Sequence, residues 1–234
     1  MSDSSRRLGF GVAACILSVA SFAGVNGIVR AVVPATLDSV FDGPLGSCRV
    51  DDRLTPHRRP SDWARSLLDT EFALAPNDVP ADLVSIADQG IDGAGSLRRL
   101  VIDDLAAMVD EARAAGASFR VTSAYRSFEH QERTFASLVS AYGSDEALRS
   151  AARPGHSEHQ LGTTIDVEGG EAWLATNAWR FGFVMSYPPA MSPELTCYKS
   201  EPWHFRYVGR ATARAVDDSG LSLRAWLWAR QAAD

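Results

Sequence analysis

Two short segments of this chain concentrate histidines and carboxylates. The first, PGHSEHQLGTTIDV, begins at Pro154, and the second, EPWHFRY, begins at Glu201. A catalytic zinc site needs three protein ligands of nitrogen or oxygen type and an open position for the reacting water. His159, Asp166 and His204 supply such a set. Glu201 is then free to act as the base, a role that needs a group outside the ligand set.

The second segment predicts a strand that is entered through a bend. Pro202 precedes an alternation of aromatic residues at positions 203, 205 and 207 with other side chains at positions 204, 206 and 208. In a regular strand, residues three apart point to opposite faces. Glu201 and His204 therefore share one site only if the backbone bends between them.

A third motif completes a resemblance to a known family. The run SAYRS, which begins at Ser123 and is followed by Gln131, precedes the two metal segments. With them it resembles the D-alanyl-D-alanine carboxypeptidases of the VanY type over residues 48–209, approximately. Three ordered motifs with these internal spacings are far more specific than any one of them. One departure is Thr164, where the family usually has alanine, and a threonine is close in size.

The resemblance implies a role for each site residue. It gives zinc as the cofactor, with His159, Asp166 and His204 as ligands and Glu201 as the base. It also implies that Arg126 meets the carboxylate or the developing oxyanion of the substrate, which suits a planar guanidinium fork. Ser157 and Gln131 match residues that line the substrate pocket. Of the other histidines, His130 is expected on a helix surface and His156 beside the pocket.

The reaction implied by the family is zinc-assisted hydrolysis of the terminal D-Ala-D-Ala bond of peptidoglycan stem peptides, with Glu201 as general base on the reacting water. Two alternatives keep the metal but change the bond: a dipeptidase on free D-Ala-D-Ala, and an L,D-peptidase or endopeptidase on muropeptides. A third alternative is a cell-wall binding module without turnover. The S-x-x-K and K-T-G motifs of serine penicillin-binding enzymes are absent from the sequence.

The N-terminal residues predict export. Leu8–Val29 carries no charge over 22 positions and follows Arg6 and Arg7, which is long enough for a helix to cross a hydrocarbon core of about 30 Å. Glycine and serine dilute this run, so a cleaved signal peptide is the alternative to an uncleaved membrane anchor. Either way, we expect the catalytic part outside the cytoplasmic membrane, in the bacterial cell envelope.

Composition and cysteine content indicate the domain organisation, the kinds of partner and the redox environment. Residues 1–33 form the predicted signal or anchor, residues 34–60 a tether and leading loop, and residues 61–234 the catalytic domain. The net charge of −6 argues against nucleic acid as a partner, and we expect a monomer. In an exported protein, Cys48 and Cys197 predict a disulfide, and two separate thiols are the alternative.

The periodicities predict an α+β domain in which helices flank a small antiparallel sheet. A helix capped by Ser96 is expected to run to Gly116, and another is expected over residues 128–142 with Tyr142 on its apolar side. Further helices are predicted at 61–68, before Pro154, at 170–179 and at 220–232. Strands are predicted at 119–123, 162–167 and 181–185.

Overall fold

The computed structural model describes residues 45–231. The uncharged run Leu8–Val29, the rest of the predicted signal or anchor, and the first part of the tether lie outside the described residues. Within the described range, no helix has the length and apolarity to cross a membrane.

A four-stranded antiparallel sheet forms the centre of the domain. Its strands are β5 (Arg120–Ser123), β6 (Thr164–Glu168), β7 (Phe183–Met185) and β8 (His204–Tyr207), and their order in the sheet is β5-β6-β8-β7. Every neighbouring pair is antiparallel. This arrangement confirms the predicted fold class, an α+β domain around a small antiparallel sheet.

The strands β6 and β8 divide their side chains between a core face and a site face. Ile165 and Phe205 point into the main hydrophobic core and lie opposite each other across the two strands. The next register pair, Asp166 and His204, points to the other face because side chains alternate along a strand. The pairing of two strands thus places two predicted ligands side by side.

Helices cover the sheet and complete the core. The first, α1 (Ile102–Ala114), buries Leu105, Met108 and Ala112 against the core face of the sheet. The remaining helices are α2 (Phe128–Tyr142), α3 (Ser144–Ser150), α4 (Glu171–Asn177), α5 (Pro193–Thr196), α6 (Arg210–Ser219) and α7 (Leu223–Gln231).

The predicted helix start at Ser96 is wrong. Ser96–Arg98 is strand β4, which pairs with β3 (Leu83–Ser85), and α1 begins only at Ile102. The apolar spacing from Leu97 onward fits a helix, but Leu97 is buried as a strand residue in the same core. Tertiary pairing therefore overrides the local period here.

Other helices also differ from the prediction in their bounds or contacts. The helix expected over residues 61–68 is a single 3₁₀ turn, Pro60–Asp62. Tyr142 ends α2 with 68% of its surface exposed, so its predicted apolar contact is wrong. The closing helix begins at Leu223, because left-handed Gly220 first ends α6, which was not predicted.

Residues 45–54, called here the leading segment, are bound to the domain surface. Strand β1 (Arg53–Leu54) pairs in parallel with β2 (Phe72–Ala73), and Cys48 is disulfide-bonded to Cys197. The Arg224 guanidinium of α7 donates to the carbonyl of Gly46 at 2.9 Å. The structure therefore confirms the predicted disulfide and shows that the leading segment belongs to the folded domain.

Candidate metal centre and active site

Three elements bring the predicted ligands together. His159 lies in the 3₁₀ turn Glu158–Leu161, Asp166 lies in β6, and His204 begins β8. One ligand atom from each lies within 4.8 Å of the others. The carboxylate of Asp166 bridges the histidines, with Oδ2 at 3.2 Å from His159 Nε2 and Oδ1 at 3.1 Å from His204 Nδ1.

The donor set fits a zinc ion. Zinc accepts histidine nitrogen and carboxylate oxygen, and a tetrahedral site with bonds of about 2.0–2.1 Å separates its ligand atoms by about 3.4 Å. Each histidine nitrogen lies at a similar distance from one Asp166 oxygen, Oδ2 for His159 and Oδ1 for His204. Three ligands on one side leave a further position open, as a catalytic zinc site requires.

A backbone contact fixes the orientation of His159. Its Nδ1 lies 2.6 Å from the carbonyl oxygen of Ala124, which can only accept, so Nδ1 carries the proton. Nε2 is then left with its lone pair toward Asp166. Burial lowers the pKa of His159, which favours the neutral imidazole that binds metals.

His204 is held from both ring nitrogens. Its Nδ1 faces Asp166 and its Nε2 lies 3.0 Å from Oε2 of the buried Glu158. Burial works against the charged ring, but the hydrogen bonds that His204 donates to these two carboxylates raise the pKa of His204 to about 10. A metal ion at Nδ1 must therefore displace a proton, so metal binding at this histidine depends on pH.

Glu201 reaches the site through the predicted bend. Residues 202 and 203 form a turn, and the amide of His204 donates to the carbonyl of Glu201 at 3.1 Å. The Glu201 carboxylate thereby comes within 3.5 Å of His204 Nδ1 without joining the three-residue ligand cluster. Burial raises the pKa of Glu201 above its ordinary value, which moves a carboxylate closer to the range of an effective general base.

Arg126 stands on the other side of Asp166, just after β5. Its Nη1 donates to Gln131 Oε1 at 2.9 Å and its Nη2 donates to Ser123 Oγ at 3.0 Å. Nη2 also lies 3.5 Å from Asp166 Oδ2. Gln131 in turn donates to the carbonyl of Ala152 at 2.6 Å. Two neutral side chains thus orient the guanidinium, which lines the same cleft as the ligands.

One cleft contains all the predicted site residues. Arg126, Gln131, Ser157, His159, Asp166, Glu201 and His204 all line it. His156 does not flank it as predicted. Its side chain is buried, and its ring nitrogens lie 2.6 Å from the carbonyl oxygen of Asp69 and 3.0 Å from the carboxylate of Asp52. His130 is on the surface of α2, as predicted.

Sequence reasoning missed several residues of the same cleft. Glu158 lies between two motif residues and has no predicted role, and Tyr187 and Tyr198 belong to no motif. Trp203 was assigned only to the strand alternation, yet it is 43% exposed and lines the cleft. The remaining lining residues are Thr134, Leu138, Ser150, Ala151 and Ala152.

Comparison with known proteins finds one family repeatedly. The sequence model described as "VanY: D-alanyl-D-alanine carboxypeptidase" matches residues 95–210. A D-alanyl-D-alanine carboxypeptidase of Enterococcus faecalis is 38% identical over 138 residues, which are 51% of this chain and 51% of that protein. The matches to the first three curated relatives span 51% to 64% of those proteins' lengths.

Solved structures give the same family over a larger share of their length. A variant of the vancomycin-resistance D,D-pentapeptidase VanY, in complex with Zn(II), superposes with a TM-score of 0.63 at 30% identity, covering 70% of this chain and 99% of that one. VanYB in complex with D-alanine-D-alanine superposes with a TM-score of 0.62 at 31% identity, covering 70% of this chain and 97% of that one.

Proposed function

This chain belongs to the VanY family of D-alanyl-D-alanine carboxypeptidases, and from that premise we propose that it is a zinc-dependent peptidase that removes the terminal D-alanine from peptidoglycan stem peptides. The observation that carries the proposal is the arrangement of the cleft. It combines a three-residue ligand set, a separate buried carboxylate and an oriented guanidinium.

His159, Asp166 and His204 hold the metal in this proposal. A bound zinc ion supplies Lewis acidity and lowers the pKa of water, which makes hydrolysis of an amide possible near neutral pH. The protein's own part is to present two imidazoles and one carboxylate from a single side.

Glu201 moves the proton. Its carboxylate lies 3.5 Å from His204 Nδ1, so it reaches water beside the ligand set. It accepts a proton from the attacking water and then donates that proton to the leaving amine of D-alanine. Burial raises the pKa of Glu201, which makes the first transfer, from water to the carboxylate, easier.

Arg126 binds the negative charge of the substrate. Two contacts already orient its guanidinium, through Gln131 and Ser123, and the remaining N–H donors are available to a carboxylate or an oxyanion. A planar fork of this kind binds a terminal carboxylate in a defined orientation, which would direct cleavage to the last residue of the peptide.

The test is release of D-alanine by the purified protein. Substrates are a pentapeptide ending in D-Ala-D-Ala, the corresponding tetrapeptide and the free D-Ala-D-Ala dipeptide, each with and without chelator. We expect release from the pentapeptide, its loss with chelator and its return with zinc. Preference for the tetrapeptide or the dipeptide would support the L,D-peptidase or the dipeptidase instead. Binding of cell wall without any release would support a binding module.

Metal analysis tests the ligands separately from turnover. We expect one zinc ion per chain, lost when His159 and His204 are both replaced by alanine. Stoichiometric zinc in that double variant would refute the ligand assignment.

The proposal includes a location outside the cytoplasmic membrane, where peptidoglycan lies. Its support is the uncharged run Leu8–Val29 after Arg6 and Arg7, together with the Cys48–Cys197 disulfide, a bond typical of exported proteins. Fractionation separates the two forms, because an anchored chain keeps residue 1 and sediments with membranes while a cleaved one does not. A C-terminal reporter that is active only in the cytoplasm would refute export.

A further inference from the structure

A buried carboxylate, Glu158, links the two halves of the metal centre. It directly precedes the ligand His159, yet its side chain turns toward the other half and meets His204, with Oε2 at 3.0 Å from Nε2. Both side chains are almost fully buried. The segment that supplies one ligand therefore also supplies a contact to another ligand from a distant strand.

Burial of this carboxylate is offset by three partners. Ser186 donates to Oε2 at 2.6 Å, and the Arg206 guanidinium donates to Oε1 at 2.9 Å. Arg206 has no exposed surface and its Nη2 also donates to the carbonyls of Trp63 and Ser66. A buried charge is tolerated only when it is paired and hydrogen-bonded in this way. Glu158 is thus ionised and held in a single position.

The fixed carboxylate of Glu158 determines which ring nitrogen of His204 points toward the metal. An ionised carboxylate only accepts hydrogen bonds, so the Nε2 that faces it must carry a proton. Nδ1 of the same ring then points to the cluster with Asp166. Ligating histidines commonly donate their second N–H to a carboxylate, which fixes the ring and makes it a better ligand.

We infer that Glu158 is a positioning residue that holds His204 with its Nδ1 toward the metal, an inference that rests on the zinc site of the proposed function. Glu158 touches neither substrate nor metal in this role. It acts through the ring of His204, and Arg206 and Ser186 act in turn by holding Glu158.

The test replaces Glu158 by glutamine. A neutral amide has one acceptor oxygen, so it cannot accept from His204, Ser186 and Arg206 as the carboxylate does. Zinc affinity of the purified full-length protein is measured by competition with a chelator of known affinity. We expect Glu158→Gln to weaken zinc binding about 10–100-fold, as is usual when an outer-shell partner is lost. Glu158→Asp, which keeps the charge, should recover part of that loss.

A matched control separates positioning from stability. Asp69 is an equally buried carboxylate, and it pairs with buried Arg224 at 2.7 Å rather than with a ligand. Asp69→Asn removes a buried charge in the same way, so we expect a lower Tm with zinc affinity unchanged. If both variants lose zinc affinity in proportion to their loss of Tm, the role of Glu158 is merely structural and the inference is wrong. Unchanged affinity in a folded Glu158→Gln protein would also overturn it.

One measurement needs no variant. Nitrogen NMR of the zinc-loaded parent protein should show His204 protonated at Nε2 and metal-bound at Nδ1. The opposite tautomer would overturn the inference even if the Glu158 variants fail to fold. Failure of the parent to bind zinc would instead refute the proposed function, so the two failures are distinguishable.

Discussion

Replacing Arg126 with lysine separates recognition from folding. The guanidinium uses Nη1 for Gln131 and Nη2 for Ser123, at 2.9 and 3.0 Å, and still has donors for a substrate. A lysine ammonium is a single nitrogen with three donors and no planar fork. It keeps the charge beside Asp166 but cannot hold both neighbours and also bind a carboxylate through two parallel bonds.

The two expected effects differ greatly in size. Loss of one hydrogen bond from the charged guanidinium to Gln131 or Ser123 costs about 1.5 kcal/mol of stability, which is roughly 3–6 °C in Tm for a domain of this size. Loss of a donor that stabilises a transition state costs about 3–4 kcal/mol, or roughly 10²–10³ in rate. We therefore expect kcat/KM to fall by that factor while zinc content stays constant and Tm falls only slightly.

The assay is steady-state cleavage of a pentapeptide with a free C-terminus and of the same peptide amidated at its C-terminus. A contact to the ground-state carboxylate raises KM, whereas a contact to the oxyanion lowers kcat. Arg120→Lys is the matched control. Arg120 begins β5, the strand that precedes Arg126, and it forms an exposed ion pair with Glu168. Kinetics equal to the parent with both peptides, or an unfolded Arg126→Lys protein, would refute the assignment.

Three further predictions follow from the same structure. Glu201→Ala should keep stoichiometric zinc but abolish D-alanine release, because it removes the base and no ligand, and residual turnover near the parent rate would contradict this. Cys48→Ser should lower the free energy of unfolding by up to about 5 kcal/mol in the chain-entropy model, because the disulfide spans 149 residues. An unchanged denaturation midpoint would show that the disulfide does not stabilise the fold. Hydrogen bonds from Lys199, then Ser150 and Arg149, lower the pKa of Glu146 to about 2. The ionised carboxylate therefore stabilises the fold above its unfolded pKa of about 4.5, and this stabilisation is lost as the pH falls through about 2. Carboxyl NMR titration should show this value rising in Lys199→Ala, and no change would exclude the ion pair.

The sequence predicted that His159, Asp166 and His204 come together, and the structure clusters them, partly because two of the spacings in the site are local. His159 and Asp166 are separated by one turn and one strand entry, and Glu201 and His204 by one bend. Each short piece has few conformations that bring its side chains to one face. The alternation predicted a strand over β8, and its aromatic residues Phe205 and Tyr207 lie in the core.

What the sequence could not predict depends on distant pairing. The β1 strand has two residues and no pattern of its own, so its parallel pairing with β2 has no local signal. Leu97 suits the period of a helix as well as a strand, and only the presence of β3 decides between them. Glu158 resembles any solvated glutamate until Arg206, 48 residues away, pairs with it.

The register between β6 and β8 determines which changes in chain length the metal centre tolerates. Asp166 and His204 face each other because their strands pair in one alignment. A single residue inserted within Thr164–Glu168 would turn Asp166 toward the core and break the centre, since side chains alternate along a strand. The two ligands are 38 residues apart in the sequence, and the chain between them includes surface connections that can lengthen at little entropic cost. One residue inserted inside a paired strand therefore breaks the centre, whereas a longer insertion in a surface loop between the strands leaves it intact.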